Sequence, residues 1–439
     1  MLKECSLKSD GKISPNRRFA NLILFAFALL TAACSPGRRM ARFMDRQLAP
    51  PNEPQQFTGL LLVDAADGHT LYALNAEKVF TPASNTKLFT LYAALKTLPD
   101  RVPALKYTQR GDTLYVVGTG NPAALHPNLA DSTALAFMQG FSVVAMANEN
   151  LSDPAWGPGW AWDDYDQYYM PGRSAFPIHG NSVRLVSGPG EMRVSPAIFR
   201  DSVQPREEPF ARALQQNRFY RLPNLGDTLE IPLHTSPGLE RKLWSEALGK
   251  PLAAASLPLG DSLLVLPGIA ADTLYKKMMT ESDNFIAEQL MLGVSSALGD
   301  SLSFERARDH VLEQWLPGLP QTPRWVDGSG LSRYNQFSPA SVVYLLLKMK
   351  DEFPEPRLFA LMAQGGQPGT LRDWYRDVQG PYLYGKTGSL SGVQNLSGYL
   401  KTRSGKTVVF SFMNNHFPGS SQQVKARMER ILNWVRDQY

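Results

Sequence analysis

Ser84-Asn-Thr-Lys87 sets a hydroxyl and an amine three residues apart. On a helix that spacing points both groups to one side, so Oγ and Nζ can meet. The first turn of a helix also offers free backbone N–H groups and a dipole that favours negative charge. A lysine packed in such a place loses proton affinity by desolvation, and beside a serine it can serve as base for nucleophilic attack. The motif alone is weak, because Ser9-Asp-Gly-Lys12 matches it in the N-terminal leader.

Two more motifs follow in order. Ser282-Asp-Asn284 falls between helical patterns at 271–279 and 285–298. At such a junction a hydroxyl can relay a proton, and an amide can grip a peptide bond with donor and acceptor. Ser14-Pro-Asn16 matches the same pattern by accident, so this motif is weak alone too. Lys386-Thr-Gly388 occurs once, at the end of the strand pattern that starts at Tyr382. A cation, the Thr387 hydroxyl and the open backbone of Gly388 suit a peptide that ends in a carboxylate. The N–H groups of Ser84 and Ser389 could then form two donors for a tetrahedral oxyanion. Each motif could be no more than polar residues at element ends; all three in order, each on its expected element, make that reading poor.

Other chemistries lack support. The six histidines are scattered without metal-ligand spacing, no G-x-S-x-G elbow occurs, and there is no Walker loop. Gly118-Thr-Gly120-Asn-Pro-Ala123 fits a dinucleotide pattern, but Pro122 and the short helix signal after it argue against that use. No metal and no cofactor are expected.

The motifs need a scaffold. Two short apolar runs around Asp67-Gly68 predict a strand–turn–strand, followed by a helix with Thr81 as cap and Pro82 in its first turn. From 105 to 265 short strand signals alternate with turns, and residues 156–169 carry a dense aromatic cluster that reads as packing more than as a sugar-binding face. Helical patterns return from 271 to 349; strands follow at 382–384, 393–402 and 407–414, then an amphipathic closing helix. Both chain ends are therefore expected to share one α+β domain, residues 57–104 and 266–439, interrupted by a beta-rich insertion over 105–265.

The chain has 439 residues, 43% hydrophobic and 19% charged, which is ordinary globular composition. Its net charge is +5, but five cationic against two anionic side chains precede Cys34, which leaves too little charge to argue for nucleic acid. Arg17 and Arg18 precede an apolar run from Phe19 to Ala33, too short for a comfortable membrane span and fitting for an export signal. Leu30-Thr-Ala-Ala-Cys34 resembles a bacterial lipoprotein box, so residues 1–34 are expected as a signal peptide and Cys34 as the lipid attachment site. Residues 35–56, rich in Pro and Arg, read as a tether. Ser35 is not the aspartate that commonly retains lipoproteins at an inner membrane, which leans toward an outer membrane and the periplasm.

The motif triplet resembles that of the active-site-serine, penicillin-recognising enzymes. The long insertion, Ser282-Asp-Asn-Phe-Ile-Ala-Glu288 and Asp327-Gly-Ser-Gly-Leu-Ser-Arg333 narrow this to the D-alanyl-D-alanine carboxypeptidase/endopeptidase family typified by penicillin-binding protein 4. The resemblance runs from Phe57 to the C-terminus. It implies a transpeptidase/beta-lactamase-like fold, an antiparallel sheet flanked by helices, with two beta-rich domains inserted between the first and second motifs. It implies Ser84 as nucleophile and Lys87 as its base, with Ser282 and Lys386 passing a proton to the leaving amine. Asn284 would hold the substrate amide, Thr387 would meet the terminal carboxylate, and Arg333 would contact substrate or pair with Asp327. Peptidoglycan stem peptides would be substrates and beta-lactams inhibitors. A beta-lactamase-like hydrolase and a non-catalytic wall-binding lipoprotein are the alternatives.

Overall fold

A computed structural model describes residues 36–48, 56–187, 192–205, 209–221, 228–256 and 262–439. The expected signal peptide and Cys34 lie outside the described residues. The chain enters through a helix, α1 (Pro36–Leu48), where the sequence reading placed an aperiodic tether. Met40 and Met44 are buried and Phe43 stacks on Trp434 at 4.5 Å between ring centroids, so an apolar stripe does exist along one side of this arginine-rich segment.

Next come β1 (Phe57–Asp64) and β2 (Thr70–Leu74), then a 3-10 turn at Ala83–Thr86 that leads into α2 (Lys87–Thr97). Thr81 does not cap that helix. Its N–H donates to Asn415 Oδ1 (2.7 Å) and its carbonyl accepts from Asn395 Nδ2 (2.9 Å), so tertiary amides fix the turn instead.

The inserted region runs from β3 (Arg101–Arg110) through β4 (Thr113–Val117), α3 (Thr133–Gln139), β5 (Val143–Ala147), β6 (Ser182–Val186), β7 (Arg193–Ser195), β8 (Val203–Pro205), β9 (Phe219–Arg221), β10 (Thr228–Pro232), α4 (Pro237–Leu248) and β11 (Ala253–Ala254) to β12 (Leu264–Ala270). Beside a parallel pair, β8-β9, stand two larger sheets, one of order β11-β5-β4-β3-β12, with β5 parallel to both neighbours, and one of order β10-β6-β7. One apolar core joins both sheets to α3 and α4, through residues such as Leu105, Val116, Phe176, Ile231 and Trp244. Parallel pairs and two helices make the region more mixed than the expected strand-and-turn texture.

The chain then returns with α5 (Ala271–Thr280), α6 (Asn284–Leu298), α7 (Phe304–Gln314), α8 (Pro339–Glu352), α9 (Glu355–Leu361), β13 (Ala363–Gln364), β14 (Leu383–Leu390), β15 (Val393–Lys401), β16 (Thr407–Asn415) and α10 (Ser421–Gln438). Both chain ends build one six-stranded antiparallel sheet, in the order β13-β14-β15-β16-β1-β2. Period-two alternation decides which core each side chain joins. Val409 and Met413 of β16 face α2, α6 and α8, whereas Val408, Phe410 and Phe412 face α1 and α10. The central strands are thereby buried on both faces, which fixes their register. This is the expected transpeptidase/beta-lactamase-like α+β architecture. Among the described residues, no helix is long and apolar enough to cross a membrane.

Candidate active site

Ser84 sits in the 3-10 turn, not in a regular α-helix, and Ala83 before it has φ +48°. The turn is held from three sides. Asn85 Nδ2 donates to Ser397 Oγ of β15 (2.7 Å), Thr86 Oγ1 donates to Ala83 O (2.9 Å), and Asn395 Nδ2 donates to Pro82 O (2.9 Å). Two glycines allow neighbouring backbones to approach. A Cβ on Gly388 would lie 2.5 Å from Pro82 O, and one on Gly330 (φ +85°) would lie 1.9 Å from Ala83 O. Only a residue without a side chain fits at either place.

Lys87 is fully buried at the start of α2. Its Nζ lies 3.0 Å from Ser84 Oγ, 2.6 Å from Asn284 Oδ1 and 2.6 Å from Ser329 O. A neutral amine suits this cage: two N–H groups meet the two carbonyl oxygens, and the lone pair is left for the serine hydroxyl. Burial lowers the Lys87 pKa to about 8, against the opposing charges of Asp327, Glu288 and Asp283.

The second motif lies where α5 gives way to α6. Asp283 Oδ1 caps α6 by accepting from Ile286 N–H (2.9 Å), so Asn284 opens the helix and Ser282 is left outside it at φ +65°. The third motif comes from β14. Fully buried Lys386 donates from Nζ to Ser282 Oγ (2.9 Å) and to Thr387 O (2.9 Å). Burial, aided by the charge of Lys87, holds its amine well below the usual range. Asn284 is more committed than expected. Besides accepting from Lys87, it donates from Nδ2 to Tyr169 O (2.9 Å), which leaves one amide hydrogen for a ligand.

Ser84, Ser282, Asn284, Thr387 and Ser389 line one cleft of about 970 Å³. Arg333 lines it too, and donates to Ser391 O (3.3 Å); it does not pair with Asp327. Asp327 instead accepts from Gly330 N, Ser332 N, Asn335 Nδ2 and Trp160 Nε1, which shapes the loop that carries Ser329 and Gly330. The aromatic cluster divides. Tyr165 is buried, Trp160, Tyr168 and Tyr169 line the cleft, and Trp162 is exposed. Sequence reasoning gave Asp327 only a possible pairing with Arg333 and assigned no role to Ser329, Glu288 or Tyr169, although all four lie inside stretches it singled out. Among the described residues, no cluster of three or more His, Cys, Asp or Glu side chains could hold a metal ion.

Residues 40–207 and 260–438 match the D-Ala-D-Ala carboxypeptidase 3 (S13) family. Carboxypeptidase DacB of Mycolicibacterium smegmatis is 32% identical over 212 residues, which is 43% of this chain and 44% of that protein. The chain thus spans under half of that relative. The D-alanyl-D-alanine carboxypeptidase of Actinomadura sp. (strain R39) is 25% identical over 86% of this chain and 81% of its own length. The crystal structure of penicillin binding protein 4 from Haemophilus influenzae superposes with TM-score 0.67 at 20% identity, over 90% of this chain and 98% of that one.

Proposed function

The chain belongs to the D-Ala-D-Ala carboxypeptidase 3 (S13) family, and we propose that it is a penicillin-binding, serine-type D-alanyl-D-alanine carboxypeptidase/endopeptidase that acts on peptidoglycan stem peptides. The observation that carries this reading is the buried Lys87 amine, 3.0 Å from Ser84 Oγ and with its pKa lowered to about 8. Lys87 takes the Ser84 proton as Oγ attacks the carbonyl of the penultimate D-alanine. That same proton is handed on through Ser282, bonded to Lys386, to the departing amine, so Lys87 is free again and an ester on Ser84 remains. Water then cleaves the ester, releases the shortened stem and returns the proton to Ser84. Asn284 offers its remaining amide hydrogen to the substrate, and Thr387, Gly388 and Ser389 flank the terminal carboxylate. The N–H groups of Ser84 and Ser389 face the oxyanion. Arg333, which also lines the cleft, contacts the stem.

Defined muropeptides test the reading. Mass spectrometry should find loss of one D-alanine from a pentapeptide stem, or scission of a crosslinked dimer. Binding of both without cleavage would overturn it in favour of a wall-binding protein, and rapid turnover of penicillin would favour a beta-lactamase.

The chain is proposed to be exported and anchored by lipid on Cys34, at an outer membrane facing the periplasm. Because α1 begins at Pro36 and packs on the sheet domain, the lipid would hold the enzyme close against the bilayer, without the slack of a tether. Cys34→Ala should then move the protein from the membrane fraction to the soluble fraction; unchanged fractionation would contradict the anchor.

A further inference from the structure

Behind Lys87 lies a buried chain of contacts that starts in the inserted region. Arg173 is 2% exposed and donates from Nε (2.9 Å) and a terminal nitrogen (2.7 Å) to one carboxylate oxygen of Glu288 on α6. The other Glu288 oxygen accepts from Ser329 N–H at 2.7 Å. The carbonyl of that same Ser329 accepts from Lys87 Nζ at 2.6 Å. The Arg173 guanidinium also lies over the ring of Trp160, at 5.6 Å from its centroid, and Trp160 donates to Asp327.

We infer that Arg173, although outside the cleft, is a positioning residue that favours the neutral form of Lys87 by neutralising Glu288 and fixing the peptide that carries Ser329. This rests on the reading of Lys87 as the base for Ser84. The titratable groups around Lys87 are Glu288 of α6, Asp283 at the cap of that helix, Asp327 of the loop before α8, Lys386 of β14 and, behind Glu288, Arg173, which also has Asp153 at 3.6 Å. The three carboxylates nearest Lys87 would each favour its charged form. Arg173 is the buried cation that opposes them, through its ion pair with Glu288. Removing Arg173 leaves Glu288 as an uncompensated buried anion two hydrogen bonds from the amine, which raises the proton affinity of Lys87. The local backbone does not depend on the guanidinium. Ser174 N–H donates to Gln289 Oε1 (3.1 Å), and Gln289 Nε2 donates to Ser174 O (2.9 Å), so this segment stays clamped to α6.

The test is the pH profile of the acylation rate constant with a fluorescent penicillin, for wild type, Arg173→Met, Arg173→Met/Glu288→Gln and Lys87→Met. In Arg173→Met the acid limb should move up by about one pH unit, so that acylation at pH 7 falls about tenfold while the alkaline plateau is kept. The double variant loses the carboxylate with its partner and keeps an acceptor for Ser329 N–H, so its limb should return toward wild type. An unshifted limb in Arg173→Met, or an equal loss at every pH, would overturn the inference. Wild-type acylation by Lys87→Met would instead break the underlying reading of the base, which separates the two failures.

Discussion

Lys87→Met should slow acylation of Ser84 by a penicillin about 10²–10⁴-fold, the range expected for loss of a positioned general base, with no loss of thermal stability. The two halves of this expectation have one cause. Lys87 is fully buried without a carboxylate in hydrogen-bond contact, and its pKa falls from 10.5 to about 8. Below pH 8 both folded and unfolded chains hold the proton, and the folded state bears the whole cost of the shift, on the order of 3 kcal/mol. Between pH 8 and 10.5 the unfolded chain binds more protons, so stability rises with pH; above 10.5 the cost has gone. Methionine removes that cost, although it leaves Asn284 Oδ1 and Ser329 O without their donor. For wild type, acylation should fall about tenfold per unit as pH drops below about 8, because the base must be unprotonated. Stopped-flow labelling and a melting curve of the same samples check both halves. Fast labelling by the variant would contradict the role given to Lys87.

Gly330→Ala should be the most damaging single methyl near the cleft. The new Cβ would lie 1.9 Å from Ala83 O, 2.4 Å from Ala83 C and 3.0 Å from Ser84 N, all backbone atoms that no rotamer change can move aside. The residue also sits at φ +85°, where alanine is strained. Relief requires the Ala83–Ser84 turn or the loop of residues 327–333 to shift, and either displaces Ser84 from Lys87. A misplacement on the order of 1 Å can cost about 10²-fold in rate, so acylation should fall by at least that much even in protein that still folds. Gly249→Ala is the control. It has a similar φ of +67° with nothing within 4 Å of the added methyl, so it should lose only about 1 kcal/mol of stability and keep its acylation rate. Equal behaviour of the two variants would show that the close approach at Gly330 does not position Ser84.

Much of this was legible in the sequence because the signals are local. Ser84 and Lys87 are three residues apart, and the alternation in β16 and the stripe Val424, Met428, Ile431, Val435 of α10 each fall within one element. The sheet made by both chain ends followed from those patterns. What stayed hidden depends on partners far along the chain. Helix α1 was read as a tether because Arg39, Arg42 and Arg46 dominate its composition, whereas Met40, Phe43 and Met44 acquire meaning only against α10 and β2. Thr81 has the chemistry of a cap, yet Asn395 and Asn415 claim its backbone. Arg173 and Glu288 are 115 positions apart, so no spacing could join them. The parallel pairing of β5 escaped notice because its strands are short and their order is set by crossovers.

The account stands on Ser84 as the atom that is acylated. Intact-mass spectrometry of the folded protein after exposure to a penicillin measures this directly, with peptide mapping to locate the adduct. Wild type should gain the mass of one intact penicillin on the peptide that contains Ser84, and Ser84→Ala should gain none. An unmodified wild-type protein, or an adduct that persists in Ser84→Ala, would contradict it.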